Sequence, residues 1–203
     1  MQDQVFGTSG ARVVIEEFME GEEASLLAFT DGNVIVPMVS AQDHKRVFDG
    51  DQGPNTGGMG TYSPAPVVTD DVYKKIYDRV LVPTLEGLKK DGIKYKGILY
   101  AGLMIKNGEP KVVEFNARFG DPETQVILPR LKTDIIDIFE GIADENLADV
   151  KVEWHDNAAV CVVMAAKGYP DKYEKGKEIL GLENAEKNGL LVFHAGTKAD
   201  SGK

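Results

Sequence analysis

The chain has 203 residues, 42% of them hydrophobic and 28% charged, a composition typical of a globular protein long enough to bury a core. Its formal net charge of −10 argues against nucleic acid or an anionic membrane as the main partner, because both bind basic surfaces. No apolar run reaches the length of a membrane span, and the single cysteine indicates no disulfide framework. We therefore expect a soluble, cytoplasmic protein.

The N-terminal part of the chain is predicted to be rich in strands and loops. β-Branched and aromatic residues dominate residues 12–18, which predicts a strand. Two further strands flank the pair Asp31-Gly32, which is a strong hairpin signal. Between residues 40 and 66, glycines and prolines occur without periodicity, which predicts a loop. So long a loop is uncommon in a compact domain unless it has a function.

The middle of the chain carries both helix and strand patterns. Apolar spacing over residues 69–90 predicts an amphipathic helix that Pro83 kinks or divides. A second hairpin is predicted across Asn107-Gly108. Two helices are predicted at residues 123–131 and 133–142, the second of them capped by Thr133.

A polar stretch near residue 152 is predicted to be a domain boundary. It separates a first domain, residues 1–152, from a shorter second unit, residues 153–203. In the second unit, apolar runs at residues 158–166 and 190–194 predict two strands. A unit of about 50 residues is near the lower limit for independent stability, so we expect only the beginning of a domain here.

Glu114 and Asn116 form the first candidate site. Alternate residues of a strand share a face, so the two side chains are expected to point the same way. A carboxylate and an amide oxygen on one face suit a hard cation such as Mg²⁺. Arg118 would extend this face, and its planar guanidinium suits phosphate oxygens. A solvent-facing polar edge of the strand is the alternative at this point.

The turn after this strand carries two further acids, Asp121 and Glu123. It leads into a predicted helix, whose free N–H groups would favour an anion. A simple strand–turn–helix connection with an acidic first turn is the alternative, because acids are common at helix starts.

A glycine-rich loop is the second candidate site. Its glycines let the backbone wrap closely around a ligand, and two basic residues add positive charge. It is not a Walker loop, because no Gly-Lys-Ser/Thr ending is present, and a disordered surface loop is the alternative. The residues predicted to bind phosphate or substrate are Lys45, Arg46, Asn55, Thr56, Gly57, Gly58 and Met59.

The third candidate site begins at two adjacent acids, Glu16 and Glu17, on the otherwise apolar first strand. An edge strand exposes unpaired N–H and C=O groups, which would match the complementary edge of adenine. A carboxylate in the same region, which continues to Gly21-Glu-Glu23, can accept both ribose hydroxyls. Solvated surface acids are an equal alternative.

Together, these segments resemble the phosphoribosylamine–glycine ligase family of the ATP-grasp superfamily over essentially the whole chain. The motifs that carry the resemblance are Val14-Ile-Glu-Glu-Phe18, Gly21-Glu-Glu-Ala-Ser25, Gln42-Asp-His-Lys-Arg46, Gly53-Pro-Asn-Thr-Gly-Gly-Met-Gly60 and Arg118-Phe-Gly-Asp-Pro-Glu-Thr-Gln125. The last two are highly specific to the family. Gly168-Tyr-Pro170 and Phe193-His-Ala-Gly-Thr-Lys198 resemble the opening of the family's C-terminal domain.

The resemblance implies an α+β fold: the second half of an ATP-grasp domain, with a largely antiparallel sheet and helices, plus the start of a small C-terminal α/β domain. It implies that ATP phosphorylates glycine and that the amine of 5-phosphoribosylamine then attacks the glycyl phosphate. The products are glycinamide ribonucleotide, ADP and phosphate, in purine biosynthesis. The family's N-terminal domain and the first half of its ATP-grasp unit have no counterpart in this sequence, so we expect the chain to be inactive alone.

The resemblance also implies a role for each candidate residue. Glu114 and Asn116 match the family's ligands for Mg²⁺ (or Mn²⁺), and Arg118 matches the catalytic arginine that steadies the transferring phosphoryl group. Glu23 matches the ribose-binding acid, and Asp121 lies in the motif that meets substrate. The residues that match the adenine-binding hinge are Glu16, Glu17, Phe18 and Met19.

Two other functions stay open at this point. Another ATP-grasp carboxylate–amine ligase would share the ATP and metal residues, although the Gly-Asp-Pro-Glu motif and the glycine-rich loop argue against it. A non-catalytic nucleotide-binding module would have lost the metal pair or the arginine, and neither is lost here.

Overall fold

The computed structural model describes residue 7 and residues 11–200. The strands are β1 (Glu22–Thr30), β2 (Ile35–Pro37), β3 (Gln42–Asp43), β4 (Arg46–Phe48), β5 (Gln52–Asn55), β6 (Gly60–Ser63), β7 (Gly97–Lys106), β8 (Glu109–Asn116) and β9 (Ala159–Val162). The α-helices are α1 (Asp70–Ile76), α2 (Val82–Lys90), α3 (Thr124–Ile127), α4 (Ile135–Ala143) and α5 (Leu182–Lys187). A π-helical turn (Tyr77–Leu81) joins α1 to α2, and 3-10 turns (Leu128–Arg130 and Leu147–Asp149) follow α3 and α4.

The main sheet has four antiparallel strands in the order β2-β1-β7-β8. Both predicted hairpins are confirmed, since β1 pairs with β2 around Asp31-Gly32 and β7 pairs with β8 across Asn107-Gly108. Asn107 and Gly108 have φ values of 54° and 74°, and a type I′ turn requires positive φ at both central positions. The predicted α+β fold with a largely antiparallel sheet is therefore confirmed.

The two faces of the main sheet pack against different helices. On one face, Leu26 of β1 and Leu103 of β7 pack with the apolar side of the helical segment 70–90. On the other face, Leu27 and Phe29 of β1 pack with residues of α3 and α4. Each of these fully buried side chains contributes about 2–3 kcal/mol of transfer free energy, so the sheet is held rigidly from both sides.

The helical segment 70–90 starts and divides where the sequence predicts. The Thr69 side chain accepts a hydrogen bond from the backbone N–H of Val72 at 3.4 Å and caps α1. The π-helical turn ends immediately before Val82, and Pro83 lies at the start of α2. The helical segment continues past Pro83, and the π-helical turn immediately before it is the irregularity expected where a proline removes an N–H from a helix interior.

The predicted strand at residues 12–18 is wrong. This segment has no regular secondary structure, and the chain enters its first strand only at Glu22. Its apolar side chains are largely uncovered, with Ile15 and Phe18 each 91% exposed. Strand propensity alone does not make a strand, because the backbone needs a partner to hydrogen-bond, and no described strand pairs with this segment.

The region 40–66 is more ordered than the loop that its composition predicts. It contains the short strands β3 to β6, and β6 joins β3 and β9 in a three-stranded sheet. Only residues 159–162 of the predicted strand 158–166 form that pairing, and residues 190–194 form no strand. Because β9 pairs with β6, the second predicted unit begins inside a sheet shared with the first. The boundary near residue 152 stays a prediction.

The cap of α4 is also corrected. The side chain of Asp134, and not that of Thr133, accepts a hydrogen bond from the N–H of Ile136 at 2.9 Å. The Thr133 hydroxyl instead donates to the carbonyl of Lys151 at 3.0 Å. Among the described residues, no helix has both the length and the apolar character that crossing a bilayer requires.

We predict that Asp31→Ala destabilises the chain by about 2–3 kcal/mol, because Asp31 is buried and its carboxylate accepts three backbone N–H groups. Burial alone would raise the pKa of Asp31, but the hydrogen bonds from Val34, Asn33 and Leu147 outweigh it and hold the pKa below its ordinary value. The stabilisation is therefore present above the pKa of the unfolded state and is lost as pH falls through the folded pKa.

Urea unfolding of wild type and Asp31→Ala at pH 7 and pH 3 measures this effect, with the exposed Asp91→Ala as the control. The difference in unfolding free energy is expected to shrink at the lower pH. Equal unfolding midpoints at pH 7 would show that the turn does not depend on the carboxylate.

Candidate functional site

The candidate site lies on one face of the main sheet. Strand register places Ser25 opposite Gly102, and Gly102 opposite Glu114, so these three positions share a face. The same alternation adds Glu23 on β1 and Asn116 on β8. This is the face on which Leu27 and Phe29 are covered by helices, and the polar residues occupy its other end.

The structure brings the predicted metal pair together. The Asn116 side-chain amide donates to Oε1 of Glu114 at 3.0 Å, which leaves the amide oxygen free. A Cβ at Gly102 would lie 3.1 Å from Cγ of Glu114, so the glycine makes room for the carboxylate. In the described ranges, no group of three or more His, Cys, Asp or Glu side chains is arranged to hold a metal. Two protein oxygens suit Mg²⁺, which keeps waters and phosphate oxygens as its remaining ligands, and Mn²⁺ accepts the same oxygens.

Arg118 lies just beyond the end of β8 and is exposed. Its guanidinium donates to the carbonyl of Phe119 at 2.7 Å. Arg118 is thus close to the metal pair in sequence, but its observed hydrogen bond goes to the backbone and not to Glu114 or Asn116. The catalytic role of Arg118 therefore stays a prediction.

Lys45 and Glu23, which the sequence assigns to two different sites, are bonded to each other. The Lys45 ammonium lies 2.6 Å from Oε2 of Glu23. Burial would lower the pKa of Lys45, but Glu23, followed by Asp43 and Glu114, raises it above its ordinary value. Lys45 is thus a firmly cationic group on an otherwise acidic face.

The glycine-rich loop consists of the β4–β5 hairpin followed by residues 56–59, which are hydrogen-bonded back to residues 44 and 45. Arg46 on β4 donates to the carbonyl of Gly53 at 2.6 Å across the hairpin. Thr56 donates its N–H to the carbonyl of Lys45 at 2.7 Å, and Met59 donates its N–H to the carbonyl of His44 at 2.8 Å. Asn55 and Gly57, in contrast, are exposed.

Gly58 connects this loop to the turn that carries Asp121. Gly58 is buried with φ at 127°, and a Cβ there would meet the ring of Pro122 and lie 2.9 Å from Oδ1 of Asp43. The loop therefore rests directly on the turn. Asp121 itself is exposed and accepts a hydrogen bond from Gln125 at 2.7 Å.

The predicted adenine hinge, residues 16–19, contacts the edge strand β8 of the main sheet. Glu17 forms an ion pair with Lys111 of β8, while Glu16 and Phe18 are exposed and Met19 is half-buried. The assignment of these residues to adenine stays a prediction.

Sequence reasoning missed a buried polar cluster beneath the site, which we call the buried carboxylate cluster: Ser25, Asp43, Tyr100 and Glu123. Glu123 is only 3% exposed, and its Oε1 accepts hydrogen bonds from Ser25 at 2.9 Å and from Tyr100 at 2.7 Å. Burial, followed by the charge of Glu123, raises the pKa of Tyr100 above its ordinary range, so the phenol stays a donor.

Asp43 completes the cluster without a partner for one of its oxygens. Among the described residues, Oδ1 of Asp43 is shielded from solvent and has no hydrogen-bond partner. Burial, followed by the charge of Glu123, raises the pKa of Asp43 to about 7. Membership of the Gln42-Asp-His-Lys-Arg46 motif was the signal for Asp43, and Glu123 was singled out only as an acid of the turn before a predicted helix.

Comparison with known proteins finds matches over most of the chain. The family model for the ATP-grasp (A) domain of phosphoribosylglycinamide synthetase matches residues 1–124, and the model for its C domain matches residues 159–203. The chain is 56% identical over 195 residues to a phosphoribosylamine–glycine ligase of Halalkalibacterium halodurans, covering 96% of the chain and 45% of the relative. It is 57% identical over 204 residues to the trifunctional purine biosynthetic protein adenosine-3 of Gallus gallus, covering 100% of the chain and 20% of the relative.

A solved structure shows the same fold. The phosphoribosylamine–glycine ligase of Thermotoga maritima superposes with a TM-score of 0.72 and 41% sequence identity, covering 80% of the chain and 41% of that protein. The chain therefore spans between a fifth and a half of the length of these three relatives.

Proposed function

Because this chain belongs to the phosphoribosylglycinamide synthetase family, we propose that it forms one wall of the ATP cleft of a longer ATP-dependent carbon–nitrogen ligase. That longer protein is called the full-length ligase below. Its proposed reaction joins glycine to 5-phosphoribosylamine through glycyl phosphate and releases ADP and phosphate. The similarity to phosphoribosylamine–glycine ligases supports this reaction, and the proposal includes the cytoplasmic location expected from the sequence.

One observation carries the proposal. Glu23, Lys45 and Glu114, which the sequence assigns to ribose, phosphate and metal, line one small cavity on the main sheet. These residues come from three separate segments of the chain. The register of β1, β7 and β8 brings Glu23 and Glu114 to one face, and the backbone bridge between Ser25 and Ala41 brings the segment of Lys45 beside β1. A single nucleotide with its metal would require the ribose, phosphate and metal residues to border one place on the sheet in this way.

Glu114 and Asn116 would hold the metal, each through one oxygen. Mg²⁺ or Mn²⁺ bound there supplies charge neutralisation for the phosphate oxygens. Arg118, two residues beyond Asn116, would orient and stabilise the transferring phosphoryl group with its guanidinium. None of these three side chains is buried, so they can reorient when a nucleotide arrives.

The nucleotide contacts are proposed for the other side of the cavity. Main-chain groups of residues 16–19 would meet adenine, and Glu23 would accept the ribose hydroxyls. Since Glu23 now accepts the Lys45 ammonium, ribose binding would compete with that ion pair and free Lys45 for a phosphate. An exposed pair of this kind is worth only about 0–1 kcal/mol, so the exchange costs little.

The glycine-rich loop is proposed to cover the phosphates and the substrate. Arg46, Asn55 and Gly57 lie on its exposed part, while Thr56, Gly58 and Met59 lie on the part that is hydrogen-bonded or buried. Asp121 would meet substrate from the turn on which Gly58 rests. Closure of the loop would keep water away from an acyl phosphate.

Calorimetric titration with Mg-ATP tests the proposed function. The full-length ligase is expected to bind Mg-ATP in the calorimeter, and a separate ADP assay is expected to show continuous turnover only when both glycine and 5-phosphoribosylamine are present. The isolated chain is expected to show no ADP formation. Mg-ATP binding with no ligation of any carboxylate would favour a nucleotide-binding module, and ligation of a different carboxylate would favour another ATP-grasp ligase.

We predict that ligand binding raises hydrogen-exchange protection in the glycine-rich loop, mainly at residues 49–55. Thr56 and Met59 already donate their N–H groups to the carbonyls of Lys45 and His44, so they have less protection to gain than the exposed turn between β4 and β5. Exchange of the full-length ligase is measured with and without Mg-ATP and substrates, and α4 serves as an internal control. Equal protection of residues 49–55 in both states would contradict loop closure.

A further inference from the structure

The glycine-rich loop is hydrogen-bonded to the stretch that the C-domain family model matches, residues 159–203. The backbone N–H of Gly57 donates to the side-chain hydroxyl of Tyr169 at 3.3 Å, although 112 positions separate the two residues. Further along the loop, the carbonyl of Met59 accepts the backbone N–H of Val163 at 3.0 Å. We call residues 56–59 the return segment, because they lead from the β4–β5 hairpin back to β6. The second unit of the chain therefore holds the return segment at both of these residues.

Gly57 is the residue of the return segment whose N–H depends on the second unit. The neighbouring N–H groups, at Thr56, Gly58 and Met59, are bonded within the loop or to residues 44 and 45. Gly57 itself is exposed, so without the tyrosine its N–H would face water. A Cβ at this position would lie 3.5 Å from the same hydroxyl oxygen, so the glycine backbone and the phenol lie close together. Among the described residues, the Tyr169 hydroxyl is thus the partner that fixes this peptide group.

Tyr169 lies in a tight turn, which gives its hydroxyl a defined position. Gly168 has a φ of 104°, and a Cβ there would lie 2.5 Å from the carbonyl oxygen of Lys172, so glycine allows the chain to fold back this closely. The ring of Tyr169 lies against that of Tyr173, with 5.9 Å between the ring centroids. The Gly168-Tyr-Pro170 motif, which the resemblance assigned only to the start of a domain, therefore directs a phenol at the loop.

We propose that Tyr169 is a positioning residue, which fixes the return segment so that the β4–β5 hairpin closes in one defined place over the acyl phosphate. This inference rests on the proposed function, in which closure of the glycine-rich loop protects that intermediate. The return segment also rests on the turn that carries Asp121, because a Cβ at Gly58 would lie 2.4 Å from Cδ of Pro122. A hairpin that closes from this segment has its base fixed by both the turn and Tyr169.

The chemistry of the intermediate makes a defined closure necessary. Glycyl phosphate reacts with water as well as with the amine: the water oxygen bonds to the acyl carbon, the bond from that carbon to the phosphate oxygen breaks, and a proton is released. Glycine and phosphate result, so ATP is consumed without product. A loop that closes correctly excludes this water. Loss of the Tyr169 hydroxyl is therefore expected to raise the share of glycyl phosphate that water consumes.

The test is Tyr169→Phe in the full-length ligase, which removes the hydroxyl and keeps the ring. A neutral hydrogen bond of this kind typically changes an equilibrium about fivefold, so the ligation rate is expected to fall by about that factor. ADP formation with glycine alone is expected to rise about fivefold above the wild-type background. General damage to the fold would lower both rates, so opposite changes identify a positioning role.

Tyr173→Phe is the matched control. It removes a hydroxyl from the neighbouring ring, which packs on Tyr169 but has no hydrogen bond to the loop in the described part of the chain. Both rates of this variant should match those of wild type.

Hydrogen exchange of the unliganded enzyme tests the bond itself. The Gly57 amide should exchange about fivefold faster in Tyr169→Phe than in wild type, because its acceptor is gone. The Met59 amide serves as the internal control, because it donates to the carbonyl of His44 and should not change.

Three results overturn the inference and leave the proposed function intact. The first is a Tyr169→Phe enzyme with wild-type ligation and wild-type ADP formation. The second is ligation that falls without any rise in ADP formation from glycine alone. The third is unchanged exchange at Gly57, which would contradict the hydrogen bond from which the inference starts. A wild-type enzyme that forms no amide product from glycine overturns the proposed function instead, and the inference falls with it.

Discussion

Glu114→Ala in the full-length ligase is expected to lower turnover roughly a thousandfold or more at ordinary magnesium concentrations. Glu114 supplies the only carboxylate of the proposed metal pair, and Asn116 alone offers one neutral oxygen. The fold is expected to remain, because Glu114 is exposed and its removal leaves no cavity in the core. Steady-state kinetics across a range of magnesium concentrations, together with circular dichroism, measure both effects.

The control for this experiment is Glu109→Ala. Glu109 begins the same strand, but it pairs with Lys75 and Arg79 on the helical side of the sheet. Exposed ion pairs contribute little, so this variant should keep wild-type turnover. Wild-type turnover of Glu114→Ala at ordinary magnesium would show that Glu114 is not a metal ligand.

Arg118→Lys is expected to raise the barrier of the chemical step by about 3–4 kcal/mol, a hundredfold to a thousandfold loss of turnover. Negative charge spreads over the equatorial oxygens of the γ-phosphoryl group as it transfers, and a planar guanidinium can contact two of them. Lysine keeps the charge and loses that geometry. ATP binding should change far less, because only contacts that strengthen in the transition state raise turnover.

Kinetics of the variant beside direct measurement of ATP binding decide the role of Arg118. Arg79→Lys is the matched control, since Arg79 is an exposed arginine that pairs with Glu109. A large loss of ATP affinity with unchanged turnover at saturation would make Arg118 a binding residue only. Unchanged kinetics throughout would make it a surface arginine, consistent with its present contact to the carbonyl of Phe119.

The parts of the fold that could be predicted depend on local geometry. Asn107-Gly108 predicts its hairpin because two adjacent positive φ angles suit few other residue pairs. Glu114 and Asn116 were predicted to share a face because alternation within one strand needs no knowledge of the rest of the chain. Thr69 was predicted as the start of its helix because the cap contacts an N–H only three residues away.

The parts that could not be predicted depend on contacts between distant segments. Residues 12–18 have the composition of a strand, but composition does not reveal whether a partner strand is present. The ion pair of Lys45 with Glu23 joins two predicted sites and requires the path of β3 beside β1. The hydrogen bond of Ser25 to Glu123 spans 98 positions, so no local pattern signals the buried carboxylate cluster.

Oxygen transfer from labelled glycine tests the central claim most directly. The full-length ligase is supplied with ATP, 5-phosphoribosylamine and glycine that carries ¹⁸O in both carboxylate oxygens, and the released phosphate is analysed by mass spectrometry. If this chain forms the wall of a glycine-activating ATP site, the carboxylate attacks the γ-phosphorus and one labelled oxygen leaves with the phosphate. The other labelled oxygen remains in the amide product. Unlabelled phosphate alongside full product formation would show that no glycyl phosphate forms and would contradict the account.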